Sequence, residues 1–121
     1  MKCLHLLSVP EPPKFYNISC LETEKVCLEW NLPDLSKNRC MIDNATVICE
    51  AEDNPELPVR SGDTQNFTTD PFIVNVVGLS SSTNYSCVAY ITIESESSNR
   101  SSAVSFETKP NGKLARVRFL V

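Results

Sequence analysis

Apolar residues in this chain recur in short runs at period two, set between clusters of turn formers. Nowhere do they sustain the spacing of three and four that a helix needs. The clearest run is residues 25–30, where Val26, Leu28 and Trp30 share one face and Cys27 and Glu29 the other. The longest is 84–93, with Tyr85, Cys87, Ala89 and Ile91 aligned. Further strands are predicted at 14–19, 44–52, 71–77 and 103–108, the last placing Val104 and Phe106 on one face. Pro33 and Asp34 break the chain after the second run, and Gly78 ends the fifth. The polar stretch with Pro55, Pro58 and Gly62 leaves room for a short edge strand near 57–60. Seven short strands at this spacing predict an all-β protein, a seven-stranded antiparallel sandwich over residues 10–109.

The ends do not join that set. Residues 1–9 are expected to be a linker or the end of a preceding domain, and the proline-rich 9–13 a stiff entry that cannot join a central strand. Asn111-Gly112 is a turn signal, after which Val117, Phe119 and Val121 alternate with Arg116 and Arg118. Residues 110–121 read as a hairpin extension, an added tail or, the favoured reading, a linker and the first strand of a following domain. Met1-Lys2 and the short apolar stretch Leu4 to Leu7 fall short of a secretory signal, which is expected outside this chain.

Composition narrows the compartment. The 121 residues suit one domain, and with 41% hydrophobic and 21% charged residues they resemble neither a disordered polar chain nor a membrane one. A net charge of −4 argues against nucleic acid or direct membrane contact, both of which want a basic face. Six cysteines, Cys3, Cys20, Cys27, Cys40, Cys49 and Cys87, contain no Cys-x-x-Cys pair, and the only histidine is His5. Zinc and dithiol redox chemistry need such pairs, so structural disulfides in an oxidising compartment are expected. Asn-x-Ser/Thr sequons occur at Asn17, Asn44, Asn66, Asn84 and Asn99, five in all. Chance would give about two, and such motifs carry N-linked glycans in secreted chains.

The residues Pro12-Pro13, then Val26-Cys-Leu-Glu-Trp30-Asn-Leu-Pro33, then Gly78-Leu79-Ser-Ser-Ser-Thr83-Asn84-Tyr85-Ser-Cys87 resemble a fibronectin type III domain. The resemblance implies an immunoglobulin-like sandwich with Trp30, Leu79 and Tyr85 as structural core, the tyrosine forming a corner whose hydroxyl braces nearby backbone. Ser81 stands where that family usually has proline. Cysteines inside the domain are similar to those of the cysteine-rich fibronectin type III domains in the leukocyte common antigen, a receptor-type tyrosine phosphatase. A disulfide linking the first two strands just before a tryptophan is similar to the first domain of class I cytokine receptors.

Six cysteines allow fifteen pairings. Cys20 and Cys27 flank a tight turn between adjacent strands. In the sandwich that the resemblance implies, the sixth strand neighbours the third, which makes Cys49 a candidate partner for Cys87. Cys3 and Cys40 would then pair with each other or with a neighbouring domain. A rival arrangement joins Cys40 to Cys49.

Candidate chemistry is sparse. No catalytic or metal-binding residues, and no cofactor, are expected: a single histidine, three glycines and no cysteine-phosphatase signature leave nothing to assemble. Glu50, Glu52 and Asp53 read as a solvated strand end, as do Glu94 and Glu96, and Arg60-Ser-Gly-Asp63 is out of order for the integrin-binding Arg-Gly-Asp. Val76, Val77 and Leu79 read as a buried strand end. The expected role is a non-catalytic extracellular module of a single-pass cell-surface glycoprotein receptor, a glycosylated spacer or adhesion and recognition element. Its expected partners are N-linked glycans, neighbouring domains and a protein ligand. The alternative is a ligand-binding domain of a cytokine-type receptor, with Tyr16, Phe67 and Phe72 as contact residues.

Overall fold

A computed structural model describes residues 10–33 and 42–111. The expectations for Cys3, His5, Cys40 and the strand around Val117 to Val121 lie outside these residues. The described chain contains strands only: β1 (Lys14–Leu21), β2 (Lys25–Asn31), β3 (Asn44–Ala51), β4 (Arg60–Thr64), β5 (Phe72–Val77), β6 (Asn84–Ile93), β7 (Glu96–Ser97) and β8 (Val104–Glu107). One sheet has the order β1-β2-β5; the other runs β4-β3-β6, with β7 and β8 both pairing β6, and every pairing is antiparallel.

Period-two alternation builds the core. Val26, Leu28 and Trp30 on β2 with Phe72, Val74 and Val76 on β5 face, across the interior, Ala45, Val47 and Cys49 on β3 with Tyr85, Cys87, Ala89, Ile91 and Ile93 on β6, all buried. Each large apolar side chain removed from water contributes about 1.5–3 kcal/mol, so these faces fix the register of both sheets.

The strand β1 departs from simple alternation. Its pairing with β2 shifts between Phe15 and Asn17 and again between Ile18 and Cys20. Each bulge inserts one residue, so Phe15, Ile18 and Leu21, three apart, all pair with inward residues of β2, namely Trp30, Leu28 and Val26. Phe15 meets Trp30 edge to face with ring centroids 5.5 Å apart.

The fourth strand is not at 57–60 but at Arg60–Thr64. Pro58 lacks a ladder N–H, and Gly62, which reads as a break in the sequence, belongs to the strand. A Cβ at Gly62 would collide with the Asn75 carbonyl oxygen, so only glycine lets β4 close against β5. The last predicted strand, 103–108, is β8, and a two-residue strand that the sequence did not predict, β7, precedes it along β6 with a break between the two. Across the break the Ala89 and Ile91 N–H groups donate to the hydroxyls of Ser101 (2.9 Å) and Ser98 (3.0 Å). The Ser101 and Ser98 N–H groups return bonds of 2.8 Å to the carbonyls of Ala89 and Ile91. Two serine side chains thus stand in for missing backbone carbonyls, and β6 keeps its hydrogen bonds through the gap.

Candidate functional site

Among the described residues the structure fixes two cross-strand disulfides. Cys20 and Cys27, opposite each other on β1 and β2, are bonded across a sequence separation of 7 with Cα atoms 4.8 Å apart. Cys49 and Cys87, opposite each other on β3 and β6, are bonded across a separation of 38 with Cα atoms 4.1 Å apart. Because Cys87 takes Cys49, the rival Cys40–Cys49 bridge is not the arrangement adopted. The first bridge lies on the half-buried outer face of its sheet; the second is fully buried in the core.

The tyrosine corner is formed and is larger than the sequence suggests. The Tyr85 hydroxyl accepts from the Ser80 N–H at 2.8 Å, while its ring stacks on Phe106 at 6.1 Å. Thr108, buried at the end of β8, accepts from the Thr83 N–H at 3.0 Å and donates to the Ser80 carbonyl at 2.6 Å. Both backbone groups of Ser80 are therefore held by buried side chains. Thr108 carries no signal in the sequence, where threonine late in a strand is ordinary.

The five sequon asparagines are spread over the molecule. Asn17 sits on β1, Asn84 opens β6, Asn66 lies between β4 and β5, and Asn99 lies in the break between β7 and β8; all four are exposed. Asn66 forms an Asx turn, its Oδ1 accepting from the Thr68 N–H at 3.1 Å and the Thr68 hydroxyl at 2.8 Å. Asn44 differs: it is half-buried at the start of β3, its Nδ2 donates to the Thr46 hydroxyl at 3.4 Å, and its Oδ1 is buried without a hydrogen bond.

The residues singled out as contacts or charges separate. Phe72 is core rather than a contact residue, because it starts β5 on the inward face, and half-buried Phe67 packs on it edge to face at 5.3 Å. Tyr16, at 59% exposure, remains on the surface. Val76 and Leu79 are buried, but Val77 is 59% exposed, since the alternation that buries Val76 turns its neighbour outward. Glu52, just past β3, reaches across β6 to accept from the Ser105 hydroxyl of β8 at 2.8 Å. Arg60 to Asp63 form strand β4 rather than a loop tip. Among the described residues no group of three or more His, Cys, Asp or Glu is placed to hold a metal ion. No helix among them is long and apolar enough to cross a membrane. A groove of about 600 Å³ opens between the proline-rich entry and β8, lined mainly by Pro12, Pro13, Phe15, Leu32, Pro33 and Val104.

No protein-family model matches the chain, and no curated protein does. Solved structures do. The fibronectin type III domain of human fibronectin type III domain containing protein 3 is 20% identical, with a TM-score of 0.62 over 86% of this chain and 90% of that one. The FN5 domain of Drosophila Lar is 22% identical, with a TM-score of 0.61 over 86% of this chain and all (100%) of that one. A myokine structure is 17% identical, with a TM-score of 0.65 over 83% of this chain and 98% of that one. At such identities the likeness concerns the fold. Two antiparallel sheets, a buried tryptophan on the second strand and a tyrosine corner at the start of β6 give this chain the fold of a fibronectin type III domain.

Proposed function

We propose that this chain is a non-catalytic extracellular module of a single-pass cell-surface glycoprotein receptor, acting as a glycosylated spacer or adhesion and recognition element. The observation that carries the reading is the placing of the sequons. Exposed Asn17 lies on one sheet, exposed Asn84 on the other, and exposed Asn66 and Asn99 between strands. N-linked sugars at these positions would cover faces that a protein interface of about 800 Å² per partner requires. Two disulfides, one of them buried, suit an oxidising compartment. The similarity of the cysteines to those of a receptor tyrosine phosphatase ectodomain supports the same reading, with any catalytic domain lying elsewhere in the parent protein.

One observation favours a second reading, a ligand-binding domain of a cytokine-type receptor: the Cys20–Cys27 bridge joins the first two strands just before Trp30. Its contact surface is reduced, however, with Phe72 buried and Phe67 half-buried beside the Asn66 sequon. The two readings separate when the glycosylated chain, produced through a secretory pathway, is tested against an array of soluble ectodomains and cytokines. The spacer role predicts no saturable binding to any soluble protein. Saturable binding lost on Tyr16→Ala would overturn it in favour of the receptor reading.

A further inference from the structure

The two disulfides differ in what can reach them. Cys49 and Cys87 are at 0% exposure between the sheets. Cys20 and Cys27 are half-buried on the outer face of the β1-β2-β5 sheet, in a row with exposed Asn75. The strand β1 is the edge of that sheet, and among the described residues no strand pairs with its other side. Its ladder is irregular beside the bridge, where the register shifts between Ile18 and Cys20. The strand is also held without the sulfurs. Phe15 meets Trp30, and Ile18 and Leu21 pack against the core. Past the bridge, the Glu22 N–H donates to the Lys25 carbonyl at 2.9 Å, and the Glu22 carbonyl accepts from the Lys109 N–H at 3.1 Å.

From this placement we infer that Cys20–Cys27 is a thiol–disulfide exchange site, opened in the folded chain by a protein dithiol of the Cys-x-x-Cys kind and closed again without unfolding. The inference goes beyond the proposed role and does not depend on which sequons carry sugar. Exchange begins when a thiolate attacks one sulfur in line with the bond, so it needs free space behind the sulfur attacked. Behind Cys20 lies the open edge of β1; behind Cys27 lies β5, with Asn75 opposite. Cys20 is therefore the sulfur attacked and Cys27 the leaving group. The first sulfur of the reductant bonds to Cys20 Sγ as the Cys20–Cys27 bond breaks, and Cys27 departs as a thiolate that takes up a proton. The second thiol of the reductant, having lost its proton, attacks the first sulfur and releases Cys20, which is protonated in turn. Two electrons and two protons pass to the chain, and the dithiol becomes a disulfide. Because the β1–β2 ladder and its core contacts stay in place, the two thiols remain opposite each other and reoxidation restores the same pair.

The probe is thioredoxin, used first as the active dithiol and then as a Cys-x-x-Ser variant that stops at the mixed disulfide. The secreted chain is treated before and after enzymatic deglycosylation, because Asn17 lies one row from the bridge on the same face. New thiols are alkylated under native conditions and each cysteine peptide is weighed. Lys25 stands between Cys20 and Cys27, so trypsin puts the two on separate peptides. Amide hydrogen exchange of β2 and β6 reports on the core. In the deglycosylated chain Cys20 and Cys27 should be alkylated at least about tenfold faster than Cys49 and Cys87, with the protection of β2 and β6 unchanged. With sugars present the same pair should react, at an equal or lower rate. The Cys-x-x-Ser variant should be trapped on the Cys20 peptide. No opening of the outer bridge, or equal rates for the two bridges, would overturn the inference. Loss of β6 protection as Cys20 and Cys27 appear would overturn it too, since the bridge would then be part of what holds the fold. Trapping on the Cys27 peptide would overturn the direction of attack. Cys20 and Cys27 alkylated before any reductant is added would remove the bridge itself, whatever the sequons carry.

Discussion

The two disulfides close loops of very different length, and that difference has a calculable consequence. A cross-link stabilises chiefly by restricting the unfolded chain, and the restriction grows with the logarithm of the loop. For the separation of 7 between Cys20 and Cys27 the entropic term is about 2.4 kcal/mol at 25 °C. For the separation of 38 between Cys49 and Cys87 it is about 3.9 kcal/mol. Packing widens the gap, because Cys49 and Cys87 are both at 0% exposure and their replacement by alanine leaves a void between the sheets. Cys20 and Cys27 are half-buried on the outer face, where solvent fills the space. The double variant Cys49→Ala/Cys87→Ala should therefore lose about 2 kcal/mol more than Cys20→Ala/Cys27→Ala. Guanidinium unfolding reads both, with fluorescence of Trp30, the single tryptophan and fully buried, as the probe of core opening. Circular dichroism on the same samples establishes that the transition is two-state, and a thiol count before each titration excludes reshuffling. Equal losses in the two variants, or a larger loss from the outer pair, would refute the reasoning.

Four further outcomes follow from single contacts. Thr108→Val removes hydrogen bonds to both the Thr83 N–H and the Ser80 carbonyl, and should cost about 2 kcal/mol against about 1 kcal/mol for Tyr85→Phe. A double-mutant cycle should show coupling, since both side chains hold Ser80. Gly62→Ala drives a Cβ into the Asn75 carbonyl and should destabilise by about 1–3 kcal/mol, read as a shift in the guanidinium midpoint. Ser95→Gly should raise stability by about 0.5–1 kcal/mol in a thermal melt, because Ser95 holds a φ of 71° in the two-residue turn between β6 and β7. Among the sequons, Asn44 should be the least occupied in site-resolved mass spectrometry, because its carboxamide oxygen is buried and its nitrogen faces Thr46.

Strands with an unbroken period of two were legible from the sequence. The inward faces of β2 and β6 follow from Val26, Leu28, Trp30 and from Tyr85, Cys87, Ala89, Ile91, because a half-buried strand has no other way to sort apolar from polar residues. Features that break local rules were not legible. Two bulges set Phe15, Ile18 and Leu21, three apart in β1, opposite the inward residues of β2. Gly62 reads as a turn former and is instead a strand residue required by close backbone approach. Ser98 and Ser101 read as loop residues, yet their hydroxyls complete the hydrogen bonding of β6. That second role has a practical consequence: Ser101 also completes the Asn99 sequon, so Asn99→Gln removes the glycan signal without disturbing the sheet, whereas Ser101→Ala removes both.

The central claim is that this sandwich is a disulfide-bonded glycoprotein module. The most direct measurement is the intact mass of the secreted chain, before and after enzymatic deglycosylation and after thiol labelling under denaturing conditions. The account predicts several occupied sequons, with Cys20, Cys27, Cys49 and Cys87 all resistant to labelling until reduced. A folded chain with no sugar and all six thiols labelled would contradict it.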